Sequence, residues 1–61
     1  APDDPEIMVN AGEAYEDLGD RPAALRYIHR GLQKGYSVDR LNSTPALQNL
    51  LVDPNFRPKG K

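Results

Sequence analysis

The chain has no cysteine and no tryptophan among its 61 residues, and only one phenylalanine and one methionine. Without cysteine there is no disulfide staple and no thiolate for the usual structural zinc site. The compartment stays open, since a helical protein can occupy either redox environment. No apolar run exceeds three residues, as at 50–52, so no segment is expected to span a membrane. A formal net charge of -1 supplies no global field for nucleic acid or anionic lipid. The opening, Ala1-Pro2-Asp3-Asp4-Pro5, lacks the basic and apolar regions of a signal peptide. It resembles a cut within a longer chain more than a natural start. Glycine-rich phosphate loops and zinc-ligand spacings are missing too. A chain of this length is one small domain at most. It buries only about 60% of the surface its unfolded form exposes, so its stability is expected to be marginal.

What the sequence does contain is helical periodicity. Met8, Ala11, Gly12, Tyr15 and Leu18 recur at helical spacing, Gly19-Asp20 interrupts, and Ala24, Leu25, Ile28, Gly31 and Leu32 resume the pattern. This predicts an all-α fold built on an αα-hairpin with a very short turn. Asp4 is a good N-cap, Pro5 suits a first helical position, and Glu6 favours the positive end of the helix dipole. The first helix is therefore expected over 5–18, with Gly19 supplying the left-handed stop. Gly12 sits mid-helix, where glycine costs about 1 kcal/mol against alanine; close approach of a neighbouring helix would explain it. Asp20 then caps a second helix with Pro22 in its first turn, running to Lys34. Arg30 and Lys34 complement its negative pole, and Gly35 ends it.

After Gly35 the pattern breaks up. Ser37 suits the cap of a single turn over 38–41. Ser43 or Thr44 before Pro45 starts another short helix over 45–51, with Leu47, Leu50 and Leu51 on its buried side. Asp53-Pro54 repeats the cap-then-proline signal, and Phe56 offers an aromatic anchor. A helical hairpin cannot bury both its apolar faces alone. The organisation expected is thus a turn over 1–4, the hairpin over 5–36, short capping helices over 37–57 acting as a lid, and a disordered tail over 58–61.

Met8, Ala11-Gly12, Tyr15, Gly19-Asp20, Ala24, Ile28 and Gly31 also fall, without a gap, into a known register. The hairpin over about 5–36 resembles a tetratricopeptide repeat, a unit of roughly 34 residues. That family places a large residue, Leu-Gly and Tyr in its first helix, Gly-Asp at the turn, and then Ala, an aromatic, Ala and a closing Pro. Here Met8 replaces the bulky aromatic of the first helix and Ile28 that of the second; Gly31 replaces alanine, and Tyr36 stands at the closing proline. Gly35-Tyr36, Leu41 and the run from Leu50 through Asp53-Pro54-Asn55-Phe56 are similar to the tail after the last repeat in many bacterial multidomain proteins. The resemblance implies a terminal repeat with a capping segment, acting as a protein–protein interaction or scaffolding module of a larger polypeptide.

The family's repeats bind peptides on a concave surface of first helices. The outward positions this implies are Glu6, Val9, Asn10, Glu13 and Asp17, with Glu16 beside them. Versions that capture a C-terminal carboxylate use Lys, Arg and Asn there, and only Asn10 fits that scheme. The acids disfavour an acidic partner and suit a basic or amphipathic protein segment. The plainer reading, favoured because helix surfaces are normally charged, is an ordinary solvated face. Neighbouring repeats of the same chain and self-association are the other partners implied. In the alternative reading the chain is purely a structural cap of a helical array, with Asp39, Arg40, Asn42, Gln48 and Asn49 as its polar outer face.

The second helix carries the opposite sign: Arg21, Arg26, His29, Arg30 and Lys34, with no acid among them. Arg26, Arg30 and Lys34 make a stripe, with His29 and Gln33 beside it, as in a phosphate or nucleic-acid contact. The acidic first helix, the net charge and the lack of interleaved exposed aromatics oppose that reading. A solvated stripe, or one meeting acids of a neighbouring repeat, fits better. No carboxylate–histidine–serine set can be assembled around His29, and Ser37, Ser43 and Thr44 read as caps and turns. Glu13, Glu16 and Asp17 lack convergent ligands for a metal. Tyr15 and Tyr27 read as core or interface residues, Tyr15 against the second helix. No catalytic, cofactor-binding or metal-binding residue is expected, and the chain is not expected to be an enzyme.

Overall fold

The computed structural model describes residues 4–56. The tail expected over 58–61, and all of the N-terminal turn except Asp4, lie outside the described residues. The fold is all-α: helix α1 (Pro5–Asp17) and helix α2 (Arg21–Gln33) form an αα-hairpin. Two short helices follow, α3 (Val38–Asn42) and α4 (Gln48–Leu51), with a 3₁₀ turn (Pro45–Leu47) between them.

Local chemistry sets the ends of the long helices. The Asp4 carboxylate accepts from the Glu6 amide at 2.9 Å and that of Asp20 from the Ala23 amide at 3.2 Å, each meeting an amide that has no partner within its helix. Both helices stop on a glycine with positive φ, 83° at Gly19 and 103° at Gly35. At the first stop the Gly19 amide donates to the Glu16 carbonyl and the Asp20 amide to the Tyr15 carbonyl. At the second, Gly35 donates to Leu32 and Tyr36 to Gly31. Each pair satisfies two last-turn carbonyls and reverses the chain in few residues. Leu18 and Lys34, expected as the last helical residues, are the C-caps.

The hairpin packs closely because glycine sits where the helices meet. A Cβ built on Gly12 would fall 2.6 Å from Ile28 Cδ1 and 3.3 Å from the Ala24 carbonyl oxygen. The core that forms around this contact joins Val9, Ala24 and Ile28 of the hairpin to Leu41, Leu47 and Leu50 of the short helices. Residues 41–50 thus lie over one face of the hairpin. Ser37 caps α3 through the Arg40 amide, whereas Thr44 does not cap: its hydroxyl donates to the Arg40 carbonyl at 2.9 Å. The short helix expected over 45–51 divides at Leu47, whose backbone (φ -107°, ψ 6°) leaves the helical basin while its side chain is fully buried. Asp53-Pro54 makes a turn rather than a helix, with the Asp53 carboxylate accepting from the Asn55 amide at 2.8 Å.

Polar pins hold the last segment down. Arg21 grips Glu16 through two bonds of 2.7 Å and reaches Asp53 at 2.6 Å with its remaining terminal nitrogen. This fork joins the hairpin turn to residue 53. His29 stacks on Phe56, with ring centres 5.5 Å apart, and its Nε2 lies 3.3 Å from the Phe56 carbonyl oxygen. His29 thus has a packing role, and Phe56 is the anchor its position suggested.

Candidate interaction surface on the first helix

Helix α1 turns Met8, Val9 and Gly12 inward. Val9 is the one correction to the outward set: it is 1% exposed and belongs to the core. The reason is Gly31. A Cβ there would come within 2.7 Å of Val9 Cγ2, so glycine at that position opens the slot that Val9 fills. Glu6 is exposed but engaged with Arg40 of α3, whose guanidinium also lies 4.9 Å from the centre of the Tyr36 ring. That carboxylate helps raise the Arg40 pKa. Glu16 is engaged with Arg21, which pushes the Arg21 pKa further up and leaves the guanidinium permanently charged.

Asn10, Glu13 and Asp17 remain. They stand on one side of α1 at spacings of three and four residues, with Asn10 and Asp17 exposed and Glu13 half-buried. Among the described residues none of these three side chains has a hydrogen bond or ion pair. The other acids of the hairpin are occupied, Asp4 and Asp20 as caps and Glu6 and Glu16 with arginines. The unsatisfied acidic row is therefore shorter than the sequence suggests, and it belongs to α1 alone.

Beside it lies a second row that the sequence reading assigned differently. Leu18, grouped there with the core-facing residues, is 78% exposed, and Ile7 is 54% exposed. Ala14 is exposed and Ala11 half-buried between them. The signal was present in the spacing: 7, 11, 14 and 18 make a stripe distinct from the inward residues 8, 9 and 12. On its other edge Tyr15 stacks on Tyr27 of α2, with ring centres 5.4 Å apart and planes 13° from parallel. Tyr15 is thus half-buried against the second helix.

The fold engages two of the basic or titratable residues of α2, while Arg26, Arg30 and Lys34 of the stripe stay exposed. Arg21 is taken by Glu16 and Asp53, and His29 by Phe56. Arg30 lies 5.9 Å from the centre of the Tyr27 ring, and Arg26 stands exposed. No cavity is found among the described residues, and none of their carboxylates and imidazoles converge as a metal site would require. No helix among them is long and apolar enough to cross a membrane. The surface of α1 offers an acidic row beside an apolar stripe, chemistry suited to binding. Compared with protein-family models, curated proteins and solved structures, the chain matches none.

Proposed function

We propose that the chain is a protein-binding module of the tetratricopeptide type, presenting α1 to a basic or amphipathic segment of a protein partner. The supporting observation is the unsatisfied row of Asn10, Glu13 and Asp17 on a helix whose other carboxylates are committed to arginines or to a cap. Ion pairs tie Glu6 to Arg40 of α3 and Glu16 to Arg21 of α2, so the helix that carries the row is linked to both neighbours. The register from Met8 to Gly31 supports the family reading, with Gly12 and Gly31 both at close helix contacts.

The test is binding of a lysine-bearing amphipathic peptide to the full chain, with the peptide's glutamate counterpart as control. The chain retains the lysine peptide, and Glu13→Lys combined with Asp17→Lys abolishes retention without loss of helicity. Equal binding of both peptides, or full binding by the double variant, refutes the reading.

A second reading, a structural cap of a helical array, is favoured by one observation. Leu41, Leu47 and Leu50 close one face of the hairpin, while Ile7 and Leu18 stay exposed on α1. It predicts that the charge reversals have no binding consequence.

A further inference from the structure

Ile7, Ala11, Ala14 and Leu18 follow one another at intervals of four, three and four residues. This is the repeat of about 3.5 residues that keeps a narrow apolar seam on one side of a helix. The core residues Val9 and Gly12 occupy the far side, and Met8 stands between them and the seam. Helix α1 therefore has two apolar faces, and the short helices cover only the one that holds Val9. The seam is large at its ends and small in the middle, a shallow saddle over Ala11 and Ala14. From Ile7 to Leu18 it runs about 16 Å, or three helical turns.

Its two borders differ chemically. Asn10 and Asp17 flank it on one side, with Glu13 behind them; Met8 and the stacked Tyr15 flank it on the other. A helix lying along the seam would meet carboxylate on one edge and apolar or aromatic surface on the other. The α1 seam of a second copy offers no opposite charge in either orientation. Antiparallel pairing of two α1 seams sets the Asp17 edge against the same edge of the other copy, and parallel pairing sets it against Met8 and Tyr15. The geometry points to the seam as the docking site for an amphipathic helix of another protein. That helix carries a large apolar residue at its centre, to fill the saddle, and basic residues along one edge only. This deepens the reading of α1 as the recognition helix: the seam supplies the contact, and the acidic edge sets the partner's orientation.

The experiment titrates the full chain against three fluorescent peptides of about 18 residues, long enough to cover the seam. One has a leucine seam with lysines along one edge. The second has glutamates in place of the lysines. The third has the composition of the first in an order that destroys the helical period. The first peptide binds, the second binds at least about tenfold more weakly, and the third does not bind. Leu18→Gln and Ala14→Gln each weaken the first peptide about tenfold while leaving the net charge unchanged. Both positions are outside the core, and helicity measured on each variant checks that it is folded.

Glu13→Lys with Asp17→Lys switches the preference to the second peptide. If the first and third peptides bind alike and Leu18→Gln has no effect, the acidic row binds by charge alone; the seam proposal falls while the recognition-helix reading stands. If no peptide binds, both fall. Sedimentation showing a dimer that Leu18→Gln dissociates would give the seam to a second copy and overturn the proposal.

Discussion

Val9 and Gly31 meet across the hairpin so closely that a β-carbon on Gly31 would lie 2.7 Å from Val9 Cγ2. Val9 is 1% exposed and hemmed in by the core, so it has little room to retreat. Glycine costs about 1 kcal/mol of helix propensity against alanine at such a position, while overpacking a core costs typically about 1–3 kcal/mol. The steric term wins. Gly31→Ala is expected to lower stability by up to about 2 kcal/mol, the difference between those two effects. In a Val9→Ala background the clash is gone, and the same substitution should stabilise by up to about 1 kcal/mol. Urea denaturation of the four chains of this cycle measures the coupling. Additive effects would mean that the two residues do not compete for one slot.

Leu47 and Leu50 are fully buried and join the short helices to the hairpin core. Leu47→Ala or Leu50→Ala should each cost about 2–5 kcal/mol. A domain of this length has about 3–9 kcal/mol in total at the usual stability per residue. Either variant should therefore melt far below the parent chain or be largely unfolded at room temperature, read by circular dichroism. An unchanged melting temperature would show that residues 41–50 do not complete the core.

The parts legible in the sequence are those decided within a few residues. Asp4 before Pro5, Asp20 before Pro22 and Ser37 before α3 cap as expected because a cap needs only the amides two or three positions on. Gly19 and Gly35 stop their helices for a similarly local reason, the positive φ. Gly12 announced a close contact through its cost. What escaped depends on distant partners. Ile7, Met8 and Val9 are three consecutive apolar residues, and periodicity alone does not say which of them faces in. The slot at Gly31, 22 positions beyond Val9 in the chain, places Val9 inside, and Ile7 is left exposed. Arg21 read only as one of the basic residues of the second helix because Asp53, 32 residues away, has no signature as its partner. Glu6 read as a free acid because Arg40 lies 34 residues further on. The acidic row on α1 was thus found with one buried and one paired residue too many, and the apolar seam beside it was hidden by grouping Leu18 with the core.

Asp53 accepts from the Asn55 amide and receives the Arg21 guanidinium, and these two, in that order, hold its carboxyl below the ordinary range. The group is ionised more readily in the folded chain than in the unfolded one. Its stabilisation is therefore present above its ordinary titration near about pH 4 and is lost as the pH falls through the lowered folded value. Asp53→Asn should leave a chain whose melting temperature falls less steeply below about pH 4 and lies lower than the parent's near neutrality. Thermal melts from neutral to strongly acidic pH make the comparison. Parallel acid limbs in the two chains would show that the ionised Asp53, held by the Asn55 amide and Arg21, contributes nothing.

Gly35 separates backbone strain from packing. Its φ is 103°, and a β-carbon there meets nothing within 4 Å, so only the conformation opposes a side chain. A left-handed conformation costs an alanine about 1–2 kcal/mol, whereas asparagine enters that region more readily through its short polar side chain. Gly35→Ala should therefore destabilise by about that amount, and Gly35→Asn by clearly less, in denaturant melts read by helicity. The order of the two variants is the decisive result, because a steric clash would rank the larger asparagine as worse. If alanine is tolerated as well as asparagine, the turn after α2 does not depend on a left-handed residue, and the amide bonds from Gly35 to Leu32 and from Tyr36 to Gly31 would have to survive in another backbone geometry.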